Sequence, residues 1–184
     1  MSEGNLNLDQ QSFLLKLARE SIAYYLDNGK HLKIEMKDDL LKEKQGVFVT
    51  LKLDGNLRGC IGYPLPHDPL YLSVIEAAVL AATKDTRFTP LRAEELTLTH
   101  IEISVLSLPR RIEDTSEIEI GRHGIIITQG FSRGLLLPQV PLEWNWDLET
   151  YLNHGSLKAG LPENAWKTGA EIQTFTAQVF SDNL

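Results

Sequence analysis

The sequence predicts an α+β protein, an antiparallel sheet with flanking helices. Apolar and polar residues alternate over Gly46–Leu53 and again over Leu98–Leu108, the period of a half-buried strand. Short turn sequences, Asp54-Gly55-Asn56 and Gln129-Gly130-Phe131-Ser132, join neighbouring strands and so favour antiparallel pairing. Helical periodicity falls between groups of strands rather than alternating strictly with them, which is the α+β pattern.

The elements follow in order. A helix is predicted from about Asp9 to Asp27, with Phe13, Leu14, Leu17, Ile22, Tyr25 and Leu26 at spacings near three and four, and Asn28-Gly29 as its stop. Lys30 to Gln45 mixes charges and reads as a solvated loop or short exposed helix. Gly46 opens a strand that puts Val47, Val49, Leu51 and Leu53 on one face and Phe48, Thr50 and Lys52 on the other. After the turn, a return strand carries Leu57-Arg58-Gly59-Cys60-Ile61-Gly62. Asp68 then reads as a cap and Pro69 as the first residue of a helix to about Lys84, burying Leu72, Ile75, Val79 and Ala82 or close neighbours. Asp85–Pro90 is a loop, and Glu94-Glu95-Leu96 a short turn. In the next strand Ile101, Ile103 and Val105 face one way, and His100, Glu102 and Ser104 the other. A second hairpin joins His123–Ile127 to Gly134–Pro138. A helix follows from about Trp146 to Ala159, stopped by Gly160, and Glu171–Phe180 is a last strand with Phe175, Ala177 and Val179 alternating.

The 184 residues fit one domain and can bury a sizeable core. Lys plus Arg number 18 against 25 Asp plus Glu, a formal charge of −7, which argues against a general nucleic-acid binder. One cysteine excludes an intrachain disulfide and fits a reducing compartment. Met1–Asn7 lacks the basic and apolar regions of a secretory signal, and no apolar run approaches the roughly 20 residues that span a bilayer. The expected location is cytoplasmic, with no membrane association.

Cys60, the lone thiol, is the focus. On a regular strand Arg58, Cys60 and Gly62 share one face, opposite Leu57, Gly59 and Ile61, so a fixed positive charge lies near the sulfur and favours thiolate. Gly59 and Gly62 let a backbone or a ligand come close. Against this, a free cysteine commonly serves as a small apolar filler. His123 is read either as the base that completes a Cys–His pair or as a structural histidine bonded to a carbonyl. Glu102 supplies an orienting carboxylate or simply part of a solvated sheet face. Asp85 and Arg87 form a clamp on Arg58 or a ligand, or brace their own loop; Arg58, Arg87 and Arg133 together would line an anion-binding cleft. Histidines at 31, 67, 100, 123 and 154 lack metal-ligand spacing, so no metal is assigned, and no pattern names a cofactor. Gly-x-Ser-x-Gly is absent, and Trp144, Trp146 and Trp166 read as packing aromatics rather than a nucleic-acid platform.

Leu57–Gly62 resembles the signature of the AMMECR-type domain family. Asp85-Thr86-Arg87-Phe88, Glu95-Leu96, Glu102–Leu106, Gly121–Gly124, Arg133–Val140 and Lys158–Leu161 are similar to further blocks of that family, in family order, so the resemblance covers nearly the whole chain. It implies a single domain of two closely packed lobes with a cleft near the hexapeptide; the first helix and last strand bracket the rest, which puts both termini in one lobe, the larger. It implies no settled activity. Bacterial and archaeal members resemble one component of a three-part system with a Memo-like protein and a radical S-adenosylmethionine protein. Many relatives carry a second cysteine just before Lys-Ala-Gly-Leu, where this chain has Ser156.

Three functions are weighed on these residues. The first is an enzyme component using Cys60 as nucleophile or covalent carrier. The second is a non-catalytic accessory that docks the Memo-like or radical partner, with a homodimer left open. The third and weakest, given the charge, is a nucleic-acid regulator.

Overall fold

The computed structural model describes residues 5–182. Met1–Gly4, part of the stretch read above for a secretory signal, lie outside the described residues. The chain is a mixed helix and strand protein, as the pattern of elements predicts, and it divides into two compact units. One takes the residues up to Leu106 together with those from Gln178; the other is Ser107–Ala177.

In the first unit, helix α1 (Leu8–Asn28) starts at a capping box: the Asn7 side chain accepts the Gln10 N–H at 2.9 Å while Gln10 Oε1 accepts the Asn7 N–H. It ends at Gly29, whose φ of 66° is the left-handed cap glycine favours. Leu14, Leu17, Ala18, Ser21 and Ile22 are its buried stripe, and Phe13, one of the residues whose spacing marks the helix, is exposed. Strands β1 (Gly46–Leu53) and β2 (Asn56–Tyr63) form the predicted hairpin across Asp54-Gly55, both with positive φ. Strand β3 (Thr99–Leu106) pairs with the other side of β1. Val47, Val49, Leu51, Ile101, Ile103 and Val105 are buried on one face of this sheet. Helix α2 (Leu70–Thr83) packs on β1, β2 and α1.

Three expectations here need correction. Asp68 does not cap α2: Pro69 holds the cap position with no side-chain bond, and Asp68 instead meets His67 Nδ1 at 2.9 Å. Leu72 is exposed, and the buried stripe runs through Leu70, Val74, Ile75, Ala77, Ala78 and Ala81. Lys30–Gln45 is not simply solvated. Leu32, Ile34, Met36 and Leu40 pack against the core, and Leu41 in a short 3₁₀ turn is buried.

The second unit holds β4 (Arg110–Ile112), β5 (His123–Gln129), β6 (Ser132–Leu136), the turn α4 (Val140–Glu143) and α5 (Leu148–Lys158). Strand β7 (Glu171–Ser181) begins in this unit, where it pairs with β4 and β5. Ile112, Ile118, Ile125, Ile127, Leu152 and Ile172 form its core with Tyr151. The Tyr151 hydroxyl lies 3.2 Å from the carbonyl oxygens of His123, Leu136 and Leu137, and burial pushes its pKa up. Helix α5 starts later than the predicted Trp146, because Asp147 caps it by accepting the Thr150 N–H at 2.8 Å. Val179 of β7 is exposed although it shares the alternation of the buried Phe175, and Trp144, read as packing, is 68% exposed. Among the described residues no helix is long and apolar enough to cross a membrane.

Candidate functional site

The site begins with a register shift. Leu53 pairs with Asn56 and Lys52 with Leu57, but Leu51 pairs with Gly59, leaving Arg58 as the extra residue of a β-bulge. Beyond it Thr50 pairs with Cys60 and Phe48 with Gly62. Without the extra residue Cys60 would stand opposite Val49, on the buried face; a one-residue slip exchanges the faces of every following side chain. The bulge therefore turns Cys60 outward and Gly59 inward. It also corrects the strict alternation that set Arg58 beside Cys60 and Leu57 beside Gly59: Leu57 lies opposite Lys52 and is exposed.

Each glycine beside Cys60 admits a close approach by the chain's own atoms. A Cβ on Gly59 would sit 2.1 Å from the Ala81 carbonyl oxygen, so α2 rests directly on the strand at this point. A Cβ on Gly62 would meet the Val47 carbonyl oxygen at 2.2 Å and the Phe48 ring at 2.5 Å.

Asp85, in the loop after α2, fixes the Cys60 peptide. Its Oδ2 accepts the Cys60 N–H at 2.9 Å, while its Oδ1 accepts the backbone N–H of Arg87 at 3.1 Å. The Arg87 guanidinium adds two charge-assisted bonds, Nε to Oδ1 at 2.9 Å and Nη2 to Oδ2 at 2.7 Å. The guanidinium holds the buried Asp85 carboxyl well below the usual carboxylate range, against the opposing effect of burial, and the Cys60 and Arg87 N–H groups pull the same way. Arg87 is raised in turn, chiefly by Asp85. Since the Cys60 N–H points outward to Asp85, Thr50 and Cys60 form a non-hydrogen-bonded pair, the kind that brings side chains closest. Thr50 Oγ1 lies 3.2 Å from Cys60 Sγ.

Arg58 goes elsewhere. Its Nε and Nη2 meet the two carboxylate oxygens of Glu95 at 3.2 Å each, and Nη1 donates to the Thr89 carbonyl at 2.8 Å. Glu95, on the one-turn helix α3 (Ala93–Leu96), has its pKa lowered first by the Arg92 N–H and then by Arg58. Two of the three guanidiniums expected to line an anion cleft are thus neutralised within the fold.

Glu102 sits opposite Thr50 on β3, so Cys60, Thr50 and Glu102 form one row across three strands on the outward face. Its carboxylate pairs with Lys52 at 2.9 Å. His100 in the next row lies 4.0 Å from Asp182. His123 and Arg133 belong to the second unit. The His123 Nδ1 accepts the Glu119 N–H at 3.0 Å, so the neutral ring carries its proton on Nε2 and offers a donor there rather than a base. Arg133 is exposed and reaches Gln173 Oε1 at 3.4 Å. Ser156 is buried in α5 with its hydroxyl donating to the Leu152 carbonyl at 3.1 Å. Among the described residues no three His, Cys, Asp or Glu side chains converge as a metal site. A groove of about 490 Å³ lies elsewhere in the first unit, lined by Leu15, Arg19, Phe180 and Asp182 among others. None of the Cys60 neighbours named above contributes to it.

Thr50, Lys52 and Glu95 were not singled out from the sequence. Thr50 and Lys52 carried one signal, the outward face of β1, but the regular register sets Cys60 opposite Val49, and only the bulge brings it opposite Thr50.

A model of the AMMECR1 family matches residues 15–180. Protein MK0488 of Methanopyrus kandleri is 48% identical, the match covering 96% of this chain and 90% of that protein. Protein MJ0810 of Methanocaldococcus jannaschii is 46% identical, over 96% and 92%. The crystal structure of uncharacterized protein PH0010 from Pyrococcus horikoshii superposes with a TM-score of 0.85 at 42% identity, covering 93% of this chain and 90% of that one.

Proposed function

The chain belongs to the AMMECR1 family, and from that premise we propose that Cys60 is its reactive centre, a nucleophile or covalent carrier on the outward face of the three-stranded sheet. The carrying observation is the Thr50 hydroxyl, 3.2 Å from the sulfur of a half-buried thiol whose own N–H is held by a buried carboxylate. A hydroxyl donating to sulfur favours thiolate. The thiol proton leaves to solvent, the sulfur lone pair forms a bond to an electrophilic carbon, and the displaced group departs with its electron pair. Asp85, Arg87 and Arg58 act as positioning residues, and Glu102 with Lys52 supplies charge along the same face.

Iodoacetamide labelling, followed by mass spectrometry, tests this. Cys60 should be alkylated steadily near pH 8, and Thr50→Val should slow the reaction several-fold. A thiol that stays unreactive up to about pH 9 in the folded protein would sink the reading. The alternative is an accessory that docks a Memo-like or radical S-adenosylmethionine partner while Cys60 only packs. Full activity of Cys60→Ser in a system reconstituted with those partners would favour it.

A further inference from the structure

We propose that an aromatic ladder in the second unit docks a basic segment of a partner protein, with an Arg or Lys side chain seated on the open face of Trp144. The ladder is Trp144, Trp146 and His154. The rings of Trp144 and Trp146 lie 6.2 Å apart with planes 21° apart, and Trp146 stacks on His154 at 3.9 Å and 6°. Two devices build it. Asn145 takes a left-handed φ of 51°, which for a residue with a side chain is strained and lets Trp144 and Trp146 stand side by side. The Trp146 N–H then donates to the Pro141 carbonyl at 2.8 Å, fixing the turn. The middle ring, Trp146, packs against the core of the unit, while the two ends of the stack, Trp144 and His154, are exposed, and Leu142, two residues before Trp144, is exposed as well.

The chemistry of the occupant follows from charge. Residues 134–157 hold Glu143, Asp147 and Glu149 and no Lys or Arg. An indole face is the strongest aromatic partner for a cation. The protein itself fills one such site: Lys167 lies over Trp166 at 4.8 Å and bonds Glu149 at 2.6 Å, a trio of indole, cation and carboxylate. Trp144, with Glu143 next to it and Asp147 next to Trp146, has the indole and the carboxylates. Neither cation–π contact among the described residues involves it. The ladder lacks only the cation, which the partner supplies. A polyanion such as nucleic acid is disfavoured by the same carboxylates.

The test uses the full chain and a fluorescent decapeptide of alternating arginine and glycine, with a glutamate–glycine peptide as control, read by anisotropy. The expected result is saturable binding of the arginine peptide, weakened about tenfold in Trp144→Ala, less in Trp144→Phe, and several-fold in Glu143→Gln. Far-UV circular dichroism should not change, since Trp144 is exposed. In heteronuclear NMR the Trp144 indole N–H, identified by its absence in Trp144→Phe, should shift on titration. Equal binding by Trp144→Ala would reduce the attraction to the diffuse −7 charge and overturn the proposal. So would binding of the glutamate peptide, the absence of saturable arginine binding at millimolar concentration, or a ladder that mediates only self-association.

Discussion

Replacing Asp85 by alanine tests the frame that holds Cys60. The substitution removes four accepted hydrogen bonds, three from Arg87 and one from the Cys60 N–H. They are not lost equally. The Arg87 side chain is 56% exposed, so its guanidinium regains water and escapes the large penalty of a buried charge left alone. The Cys60 N–H faces the vacated, buried position, and an unsatisfied donor there costs about 1–3 kcal/mol. Relief of the desolvation of Asp85 offsets part of this, so a net loss of about 2 kcal/mol is expected. At this chain length that lowers Tm by about 4–8 °C, and a urea titration should show a lower midpoint with an unchanged slope. Asp85→Asn keeps an acceptor for Cys60 and should lose about half as much. The pH dependence carries a definite sign. The folded-state pKa of Asp85 is depressed, so its contribution is complete above the ordinary carboxylate range near about pH 4 and is lost as pH falls below it. The gap between wild type and Asp85→Ala should therefore narrow as the buffer is taken from pH 7 to about pH 3. A loss under about 0.5 kcal/mol at pH 7, or a gap that widens in acid, would refute the reasoning.

Two further outcomes follow from the same geometry. Gly59→Ala places a methyl group 2.1 Å from the Ala81 carbonyl oxygen, which forces α2 or the strand to move and should destabilise by about 3 kcal/mol; in urea it should fall well below Gly55→Ala, whose Cβ meets nothing within 4 Å and whose penalty is only left-handed strain of about 1–2 kcal/mol. Tyr151→Phe removes the hydroxyl that meets three partly buried carbonyls and should lower stability by about 1–2 kcal/mol in thermal unfolding, with no change in Cys60 alkylation.

What the sequence made legible is what local physics controls. Alternation placed Val47, Val49, Leu51, Ile101 and Ile103 on one buried face because a pleated strand allows no other reading. Asp54-Gly55 gave the hairpin, and Gly29 the end of α1. The failures share a different cause. Lys33, Glu35 and Lys37 concealed that Leu32, Ile34 and Met36 point inward, since composition weighed more than a short alternation. Arg58 and Glu95 lie 37 residues apart, and no local rule links them. Trp144 reads as a packing aromatic because an indole usually is one, and the left-handed Asn145 beside it has no sequence mark beyond asparagine's tolerance for positive φ.

The bulge bears most directly on whether Cys60 merely fills space. A regular two-residue hairpin continuing from Leu53 and Asn56 would set Cys60 against Val49, on the apolar face where a filler cysteine belongs, and would need no buried carboxylate. The observed strand departs from that simpler course at one residue, Arg58, and every departure acts on the Cys60 peptide. Arg58 leaves the ladder and is tied back to Glu95, Gly59 takes the inward position under α2, and Asp85 receives the outward N–H. Together they set the thiol beside Thr50 on the face that also carries Glu102 and Lys52. A cysteine that only filled space would not need the Asp85 contact, while Gly59 under α2 serves the packing of the helix in its own right. The proposed role, which requires an outward, fixed thiol, accounts for the whole arrangement. On that proposal the residues around Cys60 in Leu57–Gly62 are its mounting, and the chemistry is to be sought across the strand at Thr50.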